Sequence, residues 1–151
     1  MERIGYEQVP NEIFECMMKV EDCINESSLE FQLLGLIRLR TAQLNACAYC
    51  VDMHYKELKH AGESELRLSS LCVWMETDYY SKKEVAALTL TDQLNQNWNE
   101  GISDLIFNML LEHFNKEEIS HLALVIAQIR SWNVLMKVFG FTPGNYQVKQ
   151  A

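Results

Sequence analysis

A chain of 151 residues, 48% hydrophobic and 23% charged, is long enough to bury one core and too short for a two-domain enzyme. Thirteen Lys+Arg against 21 Asp+Glu leave a formal net charge of −8 with no basic run, which argues against a nucleic-acid partner. The first 25 residues carry six acids and lack the apolar block of a signal peptide or membrane span, so the expectation is a cytoplasmic protein with no membrane partner.

Only Pro10 and Pro143 could break a helix, and both lie near the ends. An all-α single domain over 1–151, with about six to seven helices, follows. Helices are expected near 11–25, 27–45, 48–61, 64–75, 81–97, 102–114 and 116–139. Start signals are Asn11 after Pro10, Ser27 with Glu30, Ser81 with Glu84, and Asn115 with Glu118, each able to accept from the free amides of a first turn. Gly62, Gly101 and Gly140 stand where left-handed caps would end helices. The second helix is apolar almost all round, with Arg38 and Arg40 in need of partners, so it belongs in the core and also at a subunit interface. Residues 95–99 read as a polar loop. In the last helix Ile119, Leu122, Ile126 and Ile129 share one buried face.

Chemistry concentrates in one stretch, Asn45-Ala46-Cys47-Ala48-Tyr49-Cys50-Val51-Asp52-Met53-His54. On a helix, residues three and four apart are neighbours, so Cys47 can bridge to Cys50 and the His54 imidazole comes within reach of the Cys50 sulfur. A helix starting near Cys47 also favours thiolate over thiol through its dipole. Cys50 is then the nucleophile, His54 the base, and Cys47 the thiol that resolves the oxidised Cys50 into a disulfide. Two buried, inert thiols would not need a phased histidine. Zinc would find three ligands where a structural site needs four, and no strand precedes the motif as a thioredoxin-like unit requires. No metal or organic cofactor is expected.

The other candidates take structural roles. Cys16 and Cys23 are too far apart along a helix to bridge and are expected to pack, as is Cys72. His60 suits the end of its helix, while His113 and His121 read as capping or satisfied core histidines. Tyr79 and Tyr80 are candidates to cover the thiols.

The run from Arg38 to His54, continuing through Ala61-Gly62-Glu63, Arg67-Leu68, Trp74, Glu76 and Ser81–Leu88, resembles the AhpD-like alkylhydroperoxidase group of the carboxymuconolactone decarboxylase family, with the redox core at about 27–97. The resemblance implies an AhpD-like helical bundle that assembles as a trimer or hexamer. It also implies a thiol peroxidase in which a hydroperoxide oxidises Cys50, Cys47 resolves it, His54 polarises it, and an external dithiol or protein donor restores the pair. Three positions depart from the pattern: Gly35 stands where the group has a relay glutamate, Ala42 where many relatives have serine, and Tyr49 where the site has a second histidine. Loss of a general acid forfeits about 10²–10⁴ in rate, so weak peroxidase activity is expected, with Glu30, Asp52, Glu57 and Asp92 as substitutes for the acid. The alternatives are a non-enzymatic redox sensor or chaperone-like module, and a general disulfide reductase.

Overall fold

In the computed structural model, which describes residues 2–148, the helices are α1 (Asn11–Asn25), α2 (Phe31–Leu44), α3 (Ala48–His60), α4 (Glu65–Ser70), α5 (Lys82–Gln96), α6 (Asp104–Leu111) and α7 (Lys116–Phe139). Short 3-10 turns at Tyr6–Gln8, Leu71–Glu76 and Trp98–Glu100 complete them, and no strand occurs among the described residues. The architecture is all-α, as the proline and capping pattern predicts.

α2 is the axis around which the others pack. It touches α3, α5 and α7, and its ten consecutive residues 33–42 are buried within this chain. Those ten residues pack inside this chain, as expected of a core helix. Its two arginines find partners inside the fold: Arg38 pairs with Glu21 at 2.6 Å and donates to Asn25 Oδ1, while Arg40 makes two 2.7 Å bonds to the carboxylate of Asp92. On one side of α2, Leu33, Leu34 and Ile37 meet α5, α6 and α7; on the other, Leu36 and Leu39 meet Leu58, Leu68, Trp74 and Leu88. The face of α7 read from its period is in place, with Ile119, Leu122, Ile126 and Ile129 all buried.

Several ends differ from expectation for identifiable reasons. Ser81 and Asn115 accept from Glu84 and Glu118 amides in reciprocal capping boxes. Ser27 instead donates to the Ile24 carbonyl and closes α1, so α2 begins four residues later, after an extended Glu30. Asn11 lies inside the first turn of α1, with Pro10 at the cap. The predicted helix 64–75 breaks: Val73 leaves helical dihedrals (φ −125°, ψ 28°) where Arg40 takes the Cys72 carbonyl and the Trp74 indole donates inward to Asp92. Asn95 and Gln96 belong to α5 rather than to a loop.

Candidate functional site

The site begins where α2 ends. Ala46 adopts the left-handed conformation (φ 50°), its amide bonds to the Gln43 carbonyl, and the Cys47 amide bonds to the Ala42 carbonyl. This is a Schellman stop with alanine in the position usually held by glycine. The turn swings Cys47 into the N-cap position of α3, in extended conformation, and the Val51 amide closes the first turn on the Cys47 carbonyl. Cys50 then falls in the first turn of α3 and His54 one turn further on.

Both thiols are free and buried, Cys47 at 2% exposure and Cys50 at 1%, in a cluster with Val9, Ala42, Met136 and Phe139. Packed this way, each shifts the acidity of the other. The Cys50 thiol, the Cys50 backbone amide, Lys137 and Asn133 together outweigh burial and draw the Cys47 pKa down to about 7. Cys50 is pushed far above its ordinary value, chiefly by donating to the Cys47 sulfur and also by burial. Of the two, Cys47 is the more acidic thiol, whereas helical spacing alone suggests Cys50.

His54 is also buried, with its two ring nitrogens in different situations. Nδ1 lies 2.9 Å from Glu57 Oε2, and Nε2 is buried without a hydrogen-bond partner among the described residues. Burial alone would raise the Glu57 pKa, but the contact with His54, the Tyr146 hydroxyl and Arg38 hold it below the ordinary range. With Glu57 ionised, Nδ1–H is the donor, and in the neutral ring Nε2 is then the acceptor. Tyr146 donates to Glu57 Oε1 at 2.8 Å from a C-terminal segment laid across α3. That segment is fastened by Lys56, which donates to the carbonyls of Gly144 and Tyr146, and by Asp52, which accepts from the Gly144 amide.

Of the four acids offered as substitutes at Gly35, only Glu57 meets the histidine. Asp92 is committed to Arg40 and Trp74, Asp52 to Lys56 and Gly144, and Glu30 is an exposed cap. A side chain at position 35 would crowd α3, because a Cβ there would lie 2.5 Å from Leu58 Cδ2 and Leu58 would have to shift. Three residues of the site escape a sequence reading: Tyr146, Asn133 and Lys137 lie about 80–100 residues from the motif, and only packing unites them. Four expected packing residues move elsewhere. Cys16, Cys23 and Cys72 are exposed, and Tyr80 donates to the Arg67 carbonyl away from the thiols. Among the described residues no group of three His, Cys, Asp or Glu side chains is placed to hold a metal ion.

Comparison with known proteins agrees with this architecture. The sequence pattern of the Carboxymuconolactone decarboxylase family matches residues 12–93. The chain belongs to the carboxymuconolactone decarboxylase family. Within it, the uncharacterized protein YdfG of Bacillus subtilis (strain 168) is 34% identical over 139 residues, covering 92% of this chain and 95% of YdfG. The crystal structure of ATU0492 from Agrobacterium tumefaciens, a protein of unknown function and a candidate AhpD antioxidant-defence protein, superposes with a TM-score of 0.90 at 34% identity, covering 97% of this chain and all of that one. An uncharacterized peroxidase-related protein from Ralstonia eutropha JMP134 shares the fold, with a TM-score of 0.80 at 20% identity over 89% of this chain and 72% of that one. The AhpD-like fold of the carboxymuconolactone decarboxylase family is thus present over nearly the whole chain, including the C-terminal helix beyond the matched pattern.

Proposed function

We propose that this member of the family is a thiol peroxidase acting through Cys50, Cys47 and His54. The observation that carries the reading is a pair of free thiols buried in one cluster at the start of α3, one turn before a buried histidine whose Nε2 has no hydrogen-bond partner among the described residues. Transfer of a proton from Cys50 to Cys47 places the thiolate on Cys50. Its sulfur attacks the distal oxygen of ROOH, the O–O bond breaks, and the departing alkoxide takes the Cys47 proton to give ROH. The Cys47 thiolate then attacks the Cys50 sulfenic acid, forming the disulfide and releasing hydroxide, which is protonated to water. His54, with Nδ1 tied to Glu57, offers Nε2 to hold protons exchanged at Cys50. An external dithiol donor returns the pair to the reduced state, and the working form is a homo-oligomer, trimer or hexamer.

The test is consumption of hydroperoxide by the reduced protein under stopped flow. Wild type is expected to lose both thiols to an intramolecular disulfide, and Cys50→Ser to lose the reaction. Unchanged peroxide consumption in Cys50→Ser would remove Cys50 as the attacking group. A second reading, general disulfide exchange, is favoured by Cys47, with its lowered pKa, lining a surface pocket. It predicts equilibration with dithiols but no reaction with peroxide.

A further inference from the structure

Two cations, Arg3 and Lys137, line the same pocket as Cys47 in a chain of net charge −8. The pocket they border, about 200 Å³ in volume, is formed by Arg3, Cys47, Tyr49, Met136, Lys137 and Phe141 with short stretches of backbone. Arg3 and Lys137 are the charged residues among those that line it, and among the described residues neither meets a carboxylate. Arg3 donates to the Lys137 carbonyl at 3.1 Å, and Lys137 Nζ donates to the Asn45 carbonyl at 2.6 Å. The pocket is smaller than the roughly 300–1,000 Å³ of sites for drug-sized ligands, so it admits a short molecule or a narrow tail. Cys47 is among the residues that line it and Cys50 is not.

A pair of cations does little for a neutral hydroperoxide, but it concentrates anions at the mouth of a narrow site. We propose that this pocket is the entry for the reductant, and that the reductant is a small thiol carrying a carboxylate. Arg3 and Lys137 take the carboxylate, Tyr49 and Phe141 flank the short carbon chain, and the sulfur is set against Cys47 Sγ. The proposal deepens the peroxidase reading and rests on its Cys47–Cys50 disulfide as the oxidised state. In the exchange, the incoming thiolate attacks Cys47 Sγ, the S–S bond breaks, and the electron pair passes to Cys50, which takes up a proton. A second thiol then attacks the small-molecule sulfur of the mixed disulfide, returning Cys47 as a thiolate and leaving as a symmetric disulfide, so two thiols supply the two electrons.

The test needs no peroxide. The full chain is oxidised with diamide, and formation of the Cys47–Cys50 disulfide is read by mass; its absence overturns the peroxidase reading and this proposal together. The disulfide is then reduced by 3-mercaptopropionate, 2-mercaptoethanol or cysteamine, with each rate expressed per thiolate. The anionic thiol is expected to outpace the cationic one by about 10-fold or more at low ionic strength. That ratio is expected to fall toward unity in Arg3→Gln/Lys137→Gln and at high salt, while Lys82→Gln/Lys116→Gln, which removes equal charge elsewhere, keeps it. Because the ratio compares thiols on one protein, a change in the acidity of the cysteines cancels. Equal rates per thiolate on the wild type, or a ratio that survives in Arg3→Gln/Lys137→Gln, would overturn the proposal.

Discussion

The nitrogen at which an imidazole takes and returns a proton is set by the hydrogen bond the other nitrogen makes, and for His54 that bond is to Glu57. Glu57→Gln keeps the size of the side chain but loses the charge that fixes the tautomer. Oxidation of the thiols by peroxide is expected to slow by about 10-fold or more in that variant, with a smaller loss in Tyr146→Phe, measured as the rate of disulfide formation. Equal rates in Glu57→Gln and wild type would show that the pair does not act through His54. The acidity of Cys47 makes its own prediction. Alkylation of Cys47 by iodoacetamide should rise with a midpoint near pH 7, well below an ordinary thiol. A lowered pKa in the folded state stabilises the ionised form. The reduced protein is therefore expected to gain stability as pH climbs from about 7 toward the ordinary thiol value of 9.0, and to lose that gain as pH falls back through 7. Chemical denaturation across that range, with Cys47→Ser lacking the rise, checks the sign. At this scale the closeness of Cys47 to Cys50 at the start of α3 could be read from their spacing, with His54 one turn further on. Glu57 was visible only as one acid among four, and Tyr146 could not be seen, since its contact depends on where the C-terminal segment lies.

Gly35 shows how an element constrains the site. Its Cα hydrogen faces the fully buried Leu58, which lets α2 and α3 approach closely. Alanine would gain about 1 kcal/mol of helix propensity, yet the 2.5 Å contact with Leu58 sets that against an overpacking cost of about 1–3 kcal/mol. Gly35→Ala is expected to be net destabilising, and Gly35→Glu more so, without raising peroxide reactivity. Urea denaturation and the peroxide rate measured together check this; a stable, faster Gly35→Glu would mean that the relay belongs to position 35 after all. Capping is more local. Ser81→Ala should cost about 1 kcal/mol, because it removes one half of a reciprocal box at the start of α5. Helix ends marked by side chains or glycine, such as Ser81, Asn115 and Gly140, could be read in advance. The stop at Ala46 could not, because no glycine announces it, although the same hydrogen-bond pattern with Gly62 does close α3. The kink at Val73 was hidden for a related reason: its causes, Arg40 and Asp92, lie on other helices.

Across the whole molecule, the network of Arg40, Asp92, Trp74 and the Cys72 carbonyl fastens α2, α5 and the turn after α4 behind the site. A buried pair of this kind adds little compared with apolar residues of the same shape, but breaking it leaves a charge stranded. Asp92→Asn is expected to cost about 3–5 kcal/mol in unfolding free energy, and a value near zero would show that Arg40 finds another partner. The fold class followed from the lack of internal proline and from period, both properties of single segments. Which face of α2 meets α3, and how the two chain ends converge on Cys47, arise only when the segments pack. The account as a whole depends on Cys50 being the sulfur that peroxide strikes. Its most direct test is Cys47→Ser treated with one equivalent of hydroperoxide and a sulfenic-acid trap, read by peptide mass. The predicted result is a trapped sulfenic acid on Cys50 alone. An unmodified Cys50, together with a sulfenic acid on Cys47 in the reciprocal Cys50→Ser, would contradict it.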